Sequence, residues 1–100
     1  MATVTKALAR AAAATTSATL YTVPASTTAV ITNIAVTNTA GSAGTFTLLL
    51  DDVSFATTVA IAANNTTFID CKQVLATTKT IKGFASATTI NFHISGVEIS

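Results

Sequence analysis

Apolar and polar residues alternate with a period of two along most of the chain, the spacing of strands with one face on a core and one in water. In "LYTVPASTTAVITNIAVTN", residues 20–38, Leu20, Tyr21 and Val23 lead into Pro24. After a polar "AST" turn, Val30, Ile34 and Val36 share one parity with Thr32. Proline has no N–H to give to a ladder, so Pro24 belongs at the end of a strand or on an edge. The stretch predicts strand, turn, strand. Glycines make "AGSAG" a loop, "TFTLLLD" places Phe46, Leu48 and Leu50 on one face, and Asp51-Asp52 closes that strand as a turn.

The same grammar continues downstream. "VSFATTVAIA" reads as one or two short strands, and Asn64-Asn65 as a turn that tolerates left-handed backbone. In "TTFIDCKQVL", Thr67, Ile69 and Cys71 fall on one face and Phe68, Asp70 and Lys72 on the other. "KTIKGFAS" alternates less cleanly, whereas "TINFHIS" points Ile90, Phe92 and Ile94 inward. At Ser95-Gly96 the parity flips, because Val97 and Ile99 are odd, and a bulge or tight bend at Gly96 would absorb the change. About seven to nine short strands, with turns roughly every 8–12 residues, predict an all-β fold, a single antiparallel β-sandwich of Ig-like or jelly-roll type.

Residues 18–100 form the sandwich in this reading, and residues 1–17 stand apart as an N-terminal arm. "KALARAAAA" has helix propensity, but Leu8 is its only large apolar side chain, so a short helix there has little to dock. The preferred alternative is an extended arm whose residues Val4, Lys6, Leu8 and Arg10 pair along a neighbouring sheet edge as an interface.

Composition sharpens the picture. One hundred residues make one domain. Half are hydrophobic yet only 9% are charged, against roughly 25% in ordinary soluble domains. Twenty alanines and twenty-two threonines fill 42 of the 100 positions, so the surface is largely methyl and hydroxyl. A net charge of +1 gives copies little reason to repel one another. Thirteen uncharged residues run from Ala11 to Val23 and thirteen more from Ala25 to Thr37. Such a surface fits a subunit covered by neighbours better than a dispersed monomer. No run approaches the roughly 18 apolar residues that cross a bilayer. The acid-free N-terminus with Lys6 and Arg10 has the charge of a targeting signal, but alanine and threonine are too weakly hydrophobic for its apolar segment. Two overlapping sequons, Asn64-Asn65-Thr66 and Asn65-Thr66-Thr67, have no secretory context to give them meaning.

Side-chain catalysis needs groups with tunable protonation, and the chain offers four acids, one histidine and one cysteine. Asp51 and Asp52 suit a turn better than a shared-proton dyad, with a surface calcium ion as the alternative. His93 lies on the outward parity beside Asn91 and Ser95. A single Cys71 excludes an internal disulfide and reads as a small buried hydrophobe, an intermolecular bridge or reactive thiol being the alternatives. An inward Cys71 and an outward His93 on different strands make a poor nucleophile and base, which weakens a cysteine hydrolase. No zinc spacing, EF-hand loop or phosphate-cradling glycine loop is present. Lys72, Lys79 and Lys82 near Phe84 are too loose a group for a nucleic-acid surface. The expectation is no catalytic residue, cofactor or metal, and neither nucleic acid nor membrane as partner.

From Ala18 to Ser100 the chain resembles a group of small virion structural proteins of tailed phages. "LYTVPA" carries the resemblance, followed by "TTAVITNIAVTN", a small-residue loop, a strand opening with phenylalanine, "AIAANNTTFID" and the closing "TINFHISGVEIS". The resemblance implies a non-enzymatic capsid decoration (cement) protein, head fibre or tail-associated module located in the virion and made in the bacterial cytoplasm. Its implied partners are copies of itself, with a homotrimer matching local threefold positions, and the major capsid protein or other virion proteins. The alternative is a tail- or fibre-associated carbohydrate- or receptor-binding module, for which Phe55, Phe68 and Phe84 are the aromatic candidates. The alanine-rich first 17 residues and "QVLATTKTIKG" depart from the group's pattern.

Overall fold

Alternation of β-branched and small residues gives eight strands and no helix among the described residues of the computed structural model. It describes residues 3–100, apart from the side chain of Cys71. The strands are β1 (Thr3–Ala12), β2 (Ala18–Thr22), β3 (Thr28–Asn38), β4 (Gly44–Leu50), β5 (Val53–Ile61), β6 (Asn65–Leu75), β7 (Thr80–Ala85) and β8 (Ile90–Ile99). They form two four-stranded sheets, β1-β8-β3-β6 and β2-β7-β4-β5, antiparallel throughout. First pairs with last, second with seventh, third with sixth and fourth with fifth. This is a long two-stranded ribbon folded over on itself, the jelly roll, and it resolves the choice between Ig-like and jelly-roll sandwiches.

The inner faces of the two sheets bury the core. Ile34, Val36, Phe92 and Ile94 come from the first sheet, and Phe46 and Leu48 from the second. Phe46 and Phe92 meet edge to face across the layers, with ring centres 6.2 Å apart and planes at 74°, a geometry that adds about 0.5–1.5 kcal/mol to simple area burial.

Three register details differ from the reading of the sequence. Thr3–Ala12 is neither a helix nor an arm outside the sandwich; it is an edge strand hydrogen-bonded to β8 of the same chain. Met1 and Ala2 of the expected arm lie outside the described residues. Pairing with β8 satisfies backbone groups that a lone helix would have had to satisfy without packing, and the small residues Ala9 and Ala13 sit close against the core.

Second, β3 changes face at Thr32. Ile31 is buried and Val30 is half-exposed on the outer face, so Val30 does not join Ile34 and Val36 in the core. Third, β8 itself runs straight through Gly96. The extra residues sit on its neighbours, Leu8 on β1 and Thr32 on β3, so Val97 and Ile99 lie on the outer face instead of following a bulge. Gly96 is where these irregularities meet, and a Cβ there would stand 2.2 Å from the Val30 carbonyl oxygen. Only glycine permits that approach.

Candidate interaction surfaces

The jelly roll gathers its loops at two ends, and the two ends differ in chemistry. At one end lie the β2–β3, β4–β5 and β6–β7 connections. Asp51 and Asp52 form the two-residue β4–β5 hairpin loop, with φ of 54° and 59°, the left-handed pair of a type I′ turn. The turn aims the two carboxylates at different lysines. Asp52 meets Lys82 at 2.7 Å and Asp51 meets Lys79 at 3.5 Å. Thr77 ties the neighbouring loops together, its hydroxyl donating to the Pro24 carbonyl at 2.7 Å and accepting from the Thr27 N–H at 3.1 Å.

The same end carries a polar bridge between the sheets. Tyr21, on β2 and 9% exposed, donates its phenol proton to Glu98 on β8, and Lys6 on β1 approaches the same carboxylate at 3.4 Å. Burial pushes the Tyr21 phenol well above its ordinary value, and the Glu98 charge adds to the effect. The phenol hydrogen bond holds Glu98 below the usual glutamate range, with Lys6 assisting. Nothing in the spacing of these residues foretold the bridge.

At the opposite end the β1–β2, β3–β4, β5–β6 and β7–β8 loops contain no charged residue: "AATTS", "TAGSA", "AAN" and "SATT". Asn38 ties two of them, β3–β4 and β5–β6, from beneath. It is 1% exposed, donates to the carbonyls of Ser42 at 2.8 Å and Ala62 at 3.4 Å, and accepts from the Ala40 N–H at 3.0 Å. Asn64 takes φ 53°, the left-handed turn anticipated for the Asn-Asn pair, and its N–H donates to Ala40. Most residues of these loops are exposed, so alanine methyls and serine and threonine hydroxyls make up much of the surface at this end.

Every exposed large hydrophobe among the described residues lies on an edge strand: Val4 on β1, Val53 on β5, and Phe68 and Val74 on β6, the last two 70% and 68% exposed. On the outer face of the first sheet, Thr5, Val97, Val30 and Val74 form one lateral row, and Arg10, His93, Ala35 and Phe68 another. Between those rows is a shallow, open depression of about 500 Å³ lined by Thr5, Ala7, Thr32, Ser95 and Val97 among others.

The residues singled out in the sequence scatter over this frame. Of the proposed interface set, Leu8 is buried in the core and Lys6 is engaged by Glu98, while Val4 and Arg10 remain exposed on the β1 edge. His93 is exposed on β8, and the whole of β3 separates that strand from the backbone of Cys71 on β6; the side chain of Cys71 lies outside the described residues. Lys79 and Lys82 are paired with acids at the charged end and Lys72 lies on the other sheet, so the three do not make one basic patch. Among the aromatic candidates Phe68 is exposed, whereas Phe55 and Phe84 are half-buried. No three His, Cys, Asp or Glu side chains converge among the described residues.

No protein-family model matches the chain, and no curated protein sequence matches it. Among solved structures it is similar to a pentameric capsid protein isolated from metagenomic phage sequences, at 11% identity and a TM-score of 0.38, over 90% of this chain and 60% of that one. It is also similar to dimeric latent PorU from Porphyromonas gingivalis, at 14% identity and a TM-score of 0.39, over 97% of this chain and 9% of that one. The chain therefore spans less than two thirds of the length of either. Likeness at this level carries no functional argument, and the jelly-roll assignment rests on strand order.

Proposed function

We propose that the protein is a non-enzymatic structural subunit of a tailed-phage particle, a decoration protein that coats the head as a homo-oligomer. The observation that carries this reading is the uncharged end: four adjacent loops of alanine, threonine, serine, glycine and asparagine on a chain with only 9% charged residues. Charged residues are depleted where protein interfaces are fully buried, because each must be desolvated. Alanine methyls gain on leaving water, and the hydroxyls and amides lose less than charges would wherever the partner hydrogen-bonds them. The resemblance of residues 18–100 to virion proteins supplies the kind of partner, the major capsid protein, and a trimer is the proposed head-bound form. Under this reading the uncharged end seats on the shell and the ion-paired end faces water.

Charge placed in the seat tests it. Thr16→Glu, Ser42→Glu and Thr88→Glu all alter exposed loop positions at the uncharged end, and Ala25→Glu at the other end serves as the control. The expected outcome is loss of binding to purified phage heads in the first three and unchanged binding in the fourth. Equal occupancy by all four would count against the proposal. Deleting residues 1–17 would not be a clean test, because β1 is part of the sheet.

A second reading, a sugar-binding module on a tail or fibre, draws on the exposed Phe68 ring. A glycan-array signal abolished by Phe68→Ala would favour it.

A further inference from the structure

The outer faces of the two sheets carry different loads. The only charged residue in the strands of the second sheet is Lys82, and Asp52 already engages it. The first sheet keeps a surplus. The three ion pairs among the described residues use Lys6 with Glu98, Lys79 with Asp51, and Lys82 with Asp52, so Arg10 on β1 and Asp70 on β6 are exposed charges outside them. Lys72 also takes no part, but it sits where β6 loses register with β3 and belongs to no row of the face. Apolar groups divide in the same way. Val4 and Val53 pair with Glu98 and Leu50, on the parity of the inner faces, whereas Phe68 and Val74 stand on the outer face of the first sheet.

Between the valine row and the row of Arg10, His93, Ala35 and Phe68 runs a third, made of Ala7, Ser95, Asn33 and Asp70. The surplus cation lies at the β1 edge of this face, and the surplus acid and the exposed ring lie at the β6 edge. A face with opposite charges at its two edges is complementary to its own reversal.

We propose that this face is where two copies of the chain pack, sheet on sheet, about a twofold axis parallel to the strands and midway between β8 and β3. Such an axis keeps every row level and reverses its order, laying β1 of one copy over β6 of the other. Arg10 then meets the Phe68 ring of the second copy with Asp70 beside it, a cation against a π face and a carboxylate. His93 meets Ala35, large on small, and Val97 meets Val30. Each contact occurs twice, as an isologous interface requires. The charges choose this axis. Sheets stacked face to face keep their strand directions within about 30° of each other, so the other twofold runs across the strands through the middle row; it would set Asp70 against Asp70 and leave Arg10 over Thr5. The face is four strands wide and ten residues long, about 19 Å by 33 Å at ordinary strand spacing and rise. Two copies would bury roughly 1,200 Å², where specific stable interfaces begin. The contact uses a side of the molecule, and leaves the uncharged loops at its end free.

The test is sedimentation equilibrium and native mass spectrometry of the free protein at low ionic strength, so that its outcome is independent of binding to heads. Wild-type protein is expected to dimerise. Ala35→Arg fills the place that His93 of the second copy takes and should abolish the dimer, while Val53→Glu, on the β5 edge of the other sheet, should leave it unchanged. Arg10→Asp and Asp70→Arg alone each set two like-charge pairs in the homodimer, and each should weaken it by about tenfold or more. Mixing the two restores both complementary pairs, so a heterodimer should form, and the double variant Arg10→Asp/Asp70→Arg should dimerise alone. Circular dichroism confirms that each variant retains its sheets. Wild-type protein that stays monomeric at high micromolar concentration would overturn the proposal and leave the face to another partner, the sugar of the second reading included. A dimer indifferent to Ala35→Arg and to the charge reversals, or lost on Val53→Glu, would overturn it equally by placing the contact elsewhere.

Discussion

The two ends of this jelly roll are built from the same kind of loop and held by opposite means. One uses ions at its surface: Asp51 and Asp52 with two lysines, and Glu98 shared between Tyr21 and Lys6. The other carries no charge in its loops; the buried amide of Asn38 ties two of them, β3–β4 and β5–β6, from inside, and backbone hydrogen bonds such as that from the Ala85 N–H to Ala14 hold the other two. The contrast shows how a loop cluster can be made rigid without making it hydrophilic. Exposed ion pairs fix loops but keep their water, whereas a buried amide fixes loops and leaves an outer surface that a neighbour can cover cheaply. Under the proposed function, the end without charges is the one that a partner covers.

The largest effect is expected from breaking the uncharged end at its centre. Asn38→Leu leaves the Ala40 N–H and the Ser42 carbonyl without their partner, and should cost about 2–3 kcal/mol. Urea unfolding followed by circular dichroism measures it. A loss below about 1 kcal/mol would mean that water replaces the amide and that this end is less ordered from within than its geometry states.

A smaller and pH-dependent effect is expected at the polar bridge. Glu98 has a lowered pKa in the fold, so the unfolded chain binds more protons in acid. Its contribution is present above the ordinary glutamate range of about 4.3 and is lost as pH falls through the lowered value. Tyr21→Phe should therefore shift the acid unfolding midpoint to higher pH and cost less stability at neutral pH than Asn38→Leu. Tyr21 offers a direct reading at the alkaline side, because it is the only tyrosine and the chain has no tryptophan. Its raised pKa gives stability that is present below about pH 10 and lost as pH rises through the folded value. Tyrosinate absorbance should stay absent from folded protein past the pH at which it appears in urea; coincident titrations would remove the bridge from the description.

The smallest effect belongs to the surface pairs. Lys79→Ala and Lys82→Ala should each cost about 0.5 kcal/mol or less, the loss shrinking further in high salt. A salt-independent loss comparable to that of Asn38→Leu would reverse the contrast between the two ends.

Much of this frame was legible in the chain. "TINFHIS" announced Ile90, Phe92 and Ile94, all fully buried, and "TFTLLLD" announced Phe46, Leu48 and Leu50 together with the Asp51-Asp52 turn. The surfaces were less so. Val30 and Ile31 are equally apolar, and only the extra residue at Thr32 decides which faces the core. Gly96 was noticed as a break in parity, but the break lies on the neighbouring strands and not on its own. Leu8 was assigned to a partner's edge and is instead in the core beside β8 of its own chain.

What the sequence determined alone was local: period-two patterning, the residues able to turn, and the scarcity of charge, each a property of neighbours along the chain. Tertiary structure decided what depends on distant pairing. It set β1 beside β8, brought Tyr21 to Glu98 across the sheets, and collected four uncharged loops at one end. The physical reason is that a strand's alternation specifies its two faces but not the partners on its two edges. Those are chosen by closing the whole ribbon, when all hydrogen bonds and buried contacts are satisfied together.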